Sequence, residues 1–273
     1  MGKDTLIEEA SGTIDYGMTN DYMFRAILQK SKKALIGLTS ALLHKQPEEI
    51  REIEITNPII LGETIDSRTY VLDVNIVLNN NMMLNLEMQV NNLHDWQERS
   101  LCYLCGDFSQ LNKAEPYKNI KPVINIGILD YTLFDEEPEF YATYYFFNKK
   151  THRLYSDKLG IGVLDLTQID MATKEDKAYG IDKWARIFKA KTWEELRMAV
   201  EKNEYMEEAV ETMYALNADN TIRQQCEARK RAEIEEKYIK EEMNKLKEDN
   251  KKLKEESESW KEKYEKLLAE HKG

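Results

Sequence analysis

Two segments of strict two-residue alternation, separated by a run of asparagine, constrain this chain more than any other feature of it. Tyr70–Leu78 and Met82–Val90 read as extended strands. Asn79-Asn80-Asn81 between them favours a turn, because asparagine tolerates left-handed backbone angles. Alternation sends Leu72, Val74, Ile76 and Leu78 to one face and Val71, Asp73, Asn75 and Val77 to the other. On the second strand Leu84, Leu86, Met88 and Val90 form an apolar face, and Asn85, Glu87, Gln89 and Asn91 a polar one. Both apolar faces reach one core only if the turn centres on Asn80, which sets Asn75 opposite Asn85 and Asp73 opposite Glu87. A two-residue turn would throw one apolar face outward. Directly opposed side chains have Cβ atoms ~4.5–5.5 Å apart, so the two carboxylates would repel. A shared divalent cation removes that cost, since hard cations take oxygen ligands and keep several waters. Gln89, on the same face, can orient one of those waters. On hairpin geometry alone the plainer reading is preferred: a solvent-exposed polar face of ordinary surface residues.

Around this hairpin the chain is mixed. Thr19 to about His44 reads as helix, with Thr19 or Asn20 as the cap and Pro47 as the stop. Arg51–Ile60 alternates as a strand. A helix from about Asp95 to Asn112 follows the hairpin, then buried strands at Val123–Leu129 and Tyr141–Phe147, then mostly helix over Trp184–Ala215. The class is α/β (α+β mixed), with a mixed central sheet flanked by helices.

Several stretches together resemble a known family. Val71-Leu72-Asp73-Val74 followed by Asn85-Leu86-Glu87-Met88-Gln89 looks like the active-site hairpin of the PD-(D/E)XK nuclease superfamily, and more narrowly of the bacterial recombination-promoting nucleases, a transposase family. Asn20-Asp21-Tyr22-Met23-Phe24 resembles that family's opening helix. Arg99 with Tyr103 resembles the helix after the hairpin, and Lys121-Pro122-Val123-Ile124-Asn125-Ile126 its next core strand. The likeness spans roughly residues 19 to 147 and weakens onward to about 221. It implies a restriction-endonuclease-like core and Mg²⁺-dependent cleavage of DNA phosphodiesters, Mn²⁺ being able to substitute. Asp73 and Glu87 would be metal ligands, Gln89 a third catalytic residue, and Asp21, Arg99 and Tyr103 supporting residues. Gln89 stands where the superfamily signature has lysine, and Leu164-Asp165-Leu166-Thr167 departs from the expected Glu-Leu-Pro. Two alternatives therefore stand beside the DNA endonuclease. One is a catalytically weak or inactive dimeric module that binds DNA or a partner; the other is an RNA or single-strand nuclease.

Composition narrows the setting. Hydrophobic content of 42% and aromatic content of 10% exclude a disordered chain. Three cysteines make no disulfide framework and point to a reducing compartment. No stretch approaches the ~20 apolar residues of a membrane helix, and the first ten residues carry no apolar run, so a cytoplasmic protein with no membrane partner is expected. From residue 222 onward 15 Lys and Arg face 14 Asp and Glu; the first 221 residues hold 24 against 36, net −12. Such an acidic body argues against nucleic-acid binding. Lys30/Lys32/Lys33, Lys113/Lys118/Lys121 and Lys149/Lys150/Arg153 are local basic clusters that could make a groove, and each taken singly reads as solvated surface. Cys102 and Cys105, a C-x-x-C on a helix, read as core packing, and so does the aromatic run Tyr141, Tyr144, Tyr145, Phe146 and Phe147. His44, His94, His152 and His271 match no metal spacing. No separate cofactor-binding motif appears.

The last segment is patterned as a coiled coil. Met243, Asn250, Ser257 and Tyr264 fall at position a, and Ile239, Leu246, Leu253, Trp260 and Leu267 at d. Glu235, Glu242, Asp249 and Glu256 occupy g, and Lys240, Lys247, Lys254 and Lys261 occupy e. That sorting pairs acid with base in a parallel homodimer over residues 236–268 and like with like in an antiparallel one. The expected organisation is a nuclease core over 1–165, a helical extension over 166–221 and a dimerisation helix over 222–273.

Overall fold

The hairpin forms in the register that alternation requires. In a computed structural model describing residues 10–59, 74–79, 81–109, 116–200 and 202–270, β2 (Val74–Leu78) pairs antiparallel with β3 (Met82–Gln89). Asn75 lies opposite Asn85 and Ile76 opposite Leu84. Asn79 takes a left-handed φ of 49° at the turn, and its side-chain oxygen accepts from the amides of Arg51 and Glu52 at 2.8 and 3.0 Å. That bond anchors the chain entering β1 (Ile53–Ile55), the next strand outward. Asp73 and residues 70–72 of the expected strand lie outside the described residues.

The described strands make one six-stranded mixed sheet in the order β1-β2-β3-β4-β6-β5, with β4 at Val123–Leu129, β5 at Tyr141–Phe147 and β6 at Leu154–Asp165. β3, β4 and β6 run parallel in the middle; the flanking pairs are antiparallel. Central parallel strands are buried on both faces, and six of the seven residues of β4 are fully buried. The long β6 escapes alternation because Ser156, Asp157, Lys158, Gly160 and Gly162 interrupt its apolar pattern.

The expected single first helix is two helices, α1 (Asp21–Lys30) and α2 (Lys32–Leu42). Ser31 sits between them in extended conformation, ending α1 and capping α2 by accepting from the Ala34 amide at 3.0 Å. Asn20 caps α1 through the Met23 amide. After the sheet come α4 (Lys174–Tyr179), α5 (Ile181–Lys189), α6 (Trp193–Val200) and α7 (Glu204–Asn217). Trp184, Phe188, Leu196 and Met213 from this region share one apolar core with Phe24, Leu38, Leu86 and Ile126. Phe24 and Phe188 rings lie 5.7 Å apart. Asn217 also exchanges hydrogen bonds with the Tyr16 backbone, at 3.1 and 2.9 Å, tying the start of the described chain to α7. Residues 166–221 thus pack with the sheet in one body.

The final helix, α8, runs from Asn220 to Glu270. Ile222 and Cys226 on its first turns are buried in the main core, and the first of two compact units ends at Lys230. In the second, Arg231–Gly273, the apolar positions of the heptad pattern face water: Leu246 is 61% exposed and Trp260 68%. No helix among the described residues is long and apolar enough to cross a membrane.

Candidate active site

β3 is buried on both faces, and this overturns the plainer reading of its polar side. Asn85 and Glu87 are only 2% and 8% exposed. The cover is α3 (Trp96–Phe108), which connects parallel β3 and β4 and turns Trp96, Ser100 and Leu104 toward the sheet at four-residue spacing. Glu87 pairs across the sheet with Gly127. Trp96 lies directly over that glycine, where a Cβ would overlap the indole ring. The missing side chain is what lets α3 approach.

That approach delivers a cation to the carboxylate. The Arg99 guanidinium donates to Glu87 Oε1, and Gln89 Nε2 donates to the same oxygen at 2.9 Å. A buried carboxylate is costly unless it is paired and hydrogen-bonded, and Arg99 and Gln89 meet both needs. One row away, Asn85 donates to Asn75 at 2.7 Å, and Asn125, opposite Asn85 on β4, donates to the Ser100 carbonyl at 3.2 Å. Where β4 ends, burial raises the Tyr131 phenol above its ordinary pKa, with Arg99 opposing the shift and Glu87 reinforcing it. Tyr131 and Asn125 belong to this environment and were not singled out from the sequence. Asn125 reads in the sequence only as part of a core strand, and Tyr131 carries no local motif; both arrive through the parallel pairing of β3 with β4.

The supporting residues separate. Arg99 contacts Glu87. Tyr103 lies one turn further along α3, half-buried. Asp21 accepts a hydrogen bond from Arg229 of α8 and sits beside Cys226, whose buried thiol is pushed up to about 12 by burial and then by Asp21. Cys102 and Cys105 are exposed, contrary to the expected core packing, because the sheet-facing stripe of α3 runs through Trp96, Ser100 and Leu104 instead. The β5 aromatics from Tyr144 to Phe147 are likewise exposed, contrary to the expected core packing.

A family model, that of the PD-(D/E)XK nuclease family transposases, matches residues 18–243. The chain belongs to this family. No curated protein and no solved structure was found to match it. The architecture is consistent with a PD-(D/E)XK fold: the hairpin, α3 and β4 follow one another and put Glu87 and Gln89 beneath a helix. PD-(D/E)XK nucleases generally use a divalent metal, and the donor chemistry at Glu87 suits one. A carboxylate and an amide oxygen on one strand are hard donors of the kind Mg²⁺ accepts while retaining most of its waters. Among the described residues no cluster of three or more His, Cys, Asp or Glu forms a complete metal cage. Asp73, the expected second carboxylate, lies outside them.

The close approach at Gly127 is testable. Gly127→Ala forces Trp96 and α3 outward and should cost ~1–3 kcal/mol of stability, as overpacked cores do. Chemical denaturation measures it, and an unchanged midpoint would show that α3 yields freely.

Proposed function

We propose that this chain is a Mg²⁺-dependent DNA endonuclease that hydrolyses phosphodiester bonds, linked to recombination or mobile-element activity and working in the cytoplasm. The observation that carries the reading is the buried Glu87, on a hairpin in the required register, bonded by Gln89 of its own strand and by Arg99 of α3. Sequence alternation alone expects Asp73 opposite Glu87, and these two carboxylates are the proposed ligands. When bound, the metal acidifies a water and stabilises charge on the phosphoryl group. The protein's own residues do the rest. Arg99 offsets the burial of Glu87 and holds its carboxylate in one position. Gln89 points its amide nitrogen at Glu87 and keeps its oxygen available to orient an attacking water. Trp96 packs on Gly127 beside the buried Glu87, and burial there strengthens the polar interactions of that carboxylate. Dimerisation through a parallel coiled coil over residues 236–268 would hold two such centres on one DNA. A catalytically weak module that binds DNA is the second reading, favoured by Gln89 in the lysine position and by the net charge of −11.

Incubating supercoiled plasmid with the full chain separates the two. Nicking with Mg²⁺ or Mn²⁺, none with EDTA and none from Asp73→Ala are expected of the endonuclease. Wild-type protein that binds plasmid but leaves it intact in both metals is the second reading's result.

A further inference from the structure

The β5–β6 hairpin inverts the chemistry of the rest of the molecule. The protein carries a net charge of −11, yet between Asn148 and Lys158 stand Lys149, Lys150, Arg153 and Lys158 against the single acid Asp157. The tip is ordered. Asn148 Oδ1 accepts from the amides of Lys150 and Thr151 at 2.9 and 3.0 Å, and the Asn148 amide donates to the Arg153 carbonyl at 2.9 Å. Lys149, Lys150 and Arg153 are therefore displayed on a fixed turn. Below the tip, large aromatic rings face water: Phe146 is 50% exposed, Phe147 54% and Tyr155 86%. A further ring is fastened alongside. Lys158 Nζ donates to the carbonyls of Ile120 and Lys118 at 2.6 and 3.1 Å, which seats the 3-10 turn Tyr117–Asn119 beside the hairpin with Tyr117 84% exposed.

We infer that this hairpin is a binding surface for unpaired DNA, with the tip cations on phosphates and Phe147, Tyr155 and Tyr117 stacking on bases. The choice of DNA rests on the nuclease reading above; the choice of single strand rests on the surface. Interleaved cations and exposed rings are what a single-strand platform needs, because an unstacked base offers each ring an apolar face. Bases within a duplex already stack on one another and would leave these rings in water. A second copy of the chain docking through the same tip would bring like charges together, which is unfavourable. The surface is separate from the centre around Glu87. Val163 of β6 lies in the row of Gly127 and Glu87, and Tyr155 precedes it by eight residues, at most roughly 26 Å along the strand. A strand held at the hairpin can thus run along the sheet toward that centre.

The test is fluorescence anisotropy of a labelled oligothymidylate titrated with the full chain in EDTA, where binding is read without cleavage. Lys149→Ala with Lys150→Ala and Arg153→Ala should weaken binding more than tenfold. It should also flatten the salt dependence by about 2 in log–log slope, from roughly 0.7 per lost phosphate contact. Phe147→Ala with Tyr155→Ala, which removes two rings, should weaken it roughly thirtyfold or more with the slope unchanged. Tyr155→Phe, which keeps the ring, should bind like wild type. Unaltered affinity in both the cationic and the aromatic variants overturns the proposal. So does equal affinity for the matching duplex with the aromatic variant silent, tighter binding of the RNA of the same sequence, or an aromatic variant that changes sedimentation and not oligonucleotide binding. Binding as expected, with no metal-dependent nicking of plasmid, would overturn the nuclease reading alone.

Discussion

Replacing Glu87 by alanine is expected to lower metal-dependent nicking by at least about a thousandfold, since a catalytic cation contributes several kcal/mol of transition-state stabilisation. The same change should remove Mn²⁺ binding in calorimetry. It also strips Arg99 of its anionic partner. Arg99 is about a quarter exposed, so water replaces part of the lost interaction, and the stability cost should be about 1–3 kcal/mol, less than for a fully buried pair. Glu87→Gln separates the two effects. It preserves an acceptor for Arg99 and Gln89 but removes the charge, so it should fold like wild type and still lose the metal. Mn²⁺ binding retained in a folded Glu87→Gln protein would remove Glu87 from the ligand set.

Placing aspartate at Leu246 and Leu253 together is expected to convert a full-length dimer into a monomer. Both side chains face water in the single chain, at 61% and 62% exposure, and a parallel partner would cover them. Burying one leucine is worth about 1.5–3 kcal/mol, and the double change removes four per dimer. The summed loss of roughly 6–12 kcal/mol exceeds four decades in Kd. The sorted g and e charges matter differently. Each surface pair contributes only ~0.2–1 kcal/mol, so the four of them choose orientation more than they supply affinity. Sedimentation equilibrium at micromolar concentration reads the oligomeric state, and a monomeric wild-type chain rejects the stalk. In a proven dimer, failure of Asn250→Cys to form a disulfide with its own copy rejects the parallel register, because only that register brings residue 250 to itself.

Period-two alternation was enough to set the hairpin register, since only one pairing sends Val74, Ile76, Leu84 and Leu86 into the same core. Dense apolar runs, rather than alternation, located β4 and β5, the first of them bounded by Pro122 and Asp130. The asparagine turn was legible for a local reason as well: Asn79 adopts the left-handed backbone that its side chain tolerates. None of this reveals what lies above a strand. Alternation shows which residues share a face, while the cover depends on elements distant in sequence. Glu87 looked exposed because nothing near it announces Trp96 seated on Gly127, a contact made only when β3 and β4 pair in parallel. Arg99 reaches Glu87 for the same reason. The β5 aromatics looked buried because a run of apolar residues reads alike at the centre and at the edge of a sheet. Only the three-dimensional structure shows that the rings from Tyr144 to Phe147, on the last of the described strands, face water. The chain by itself determined period, register and the heptad pattern; the tertiary structure decided burial, and burial turned an ordinary polar strand into a candidate active site.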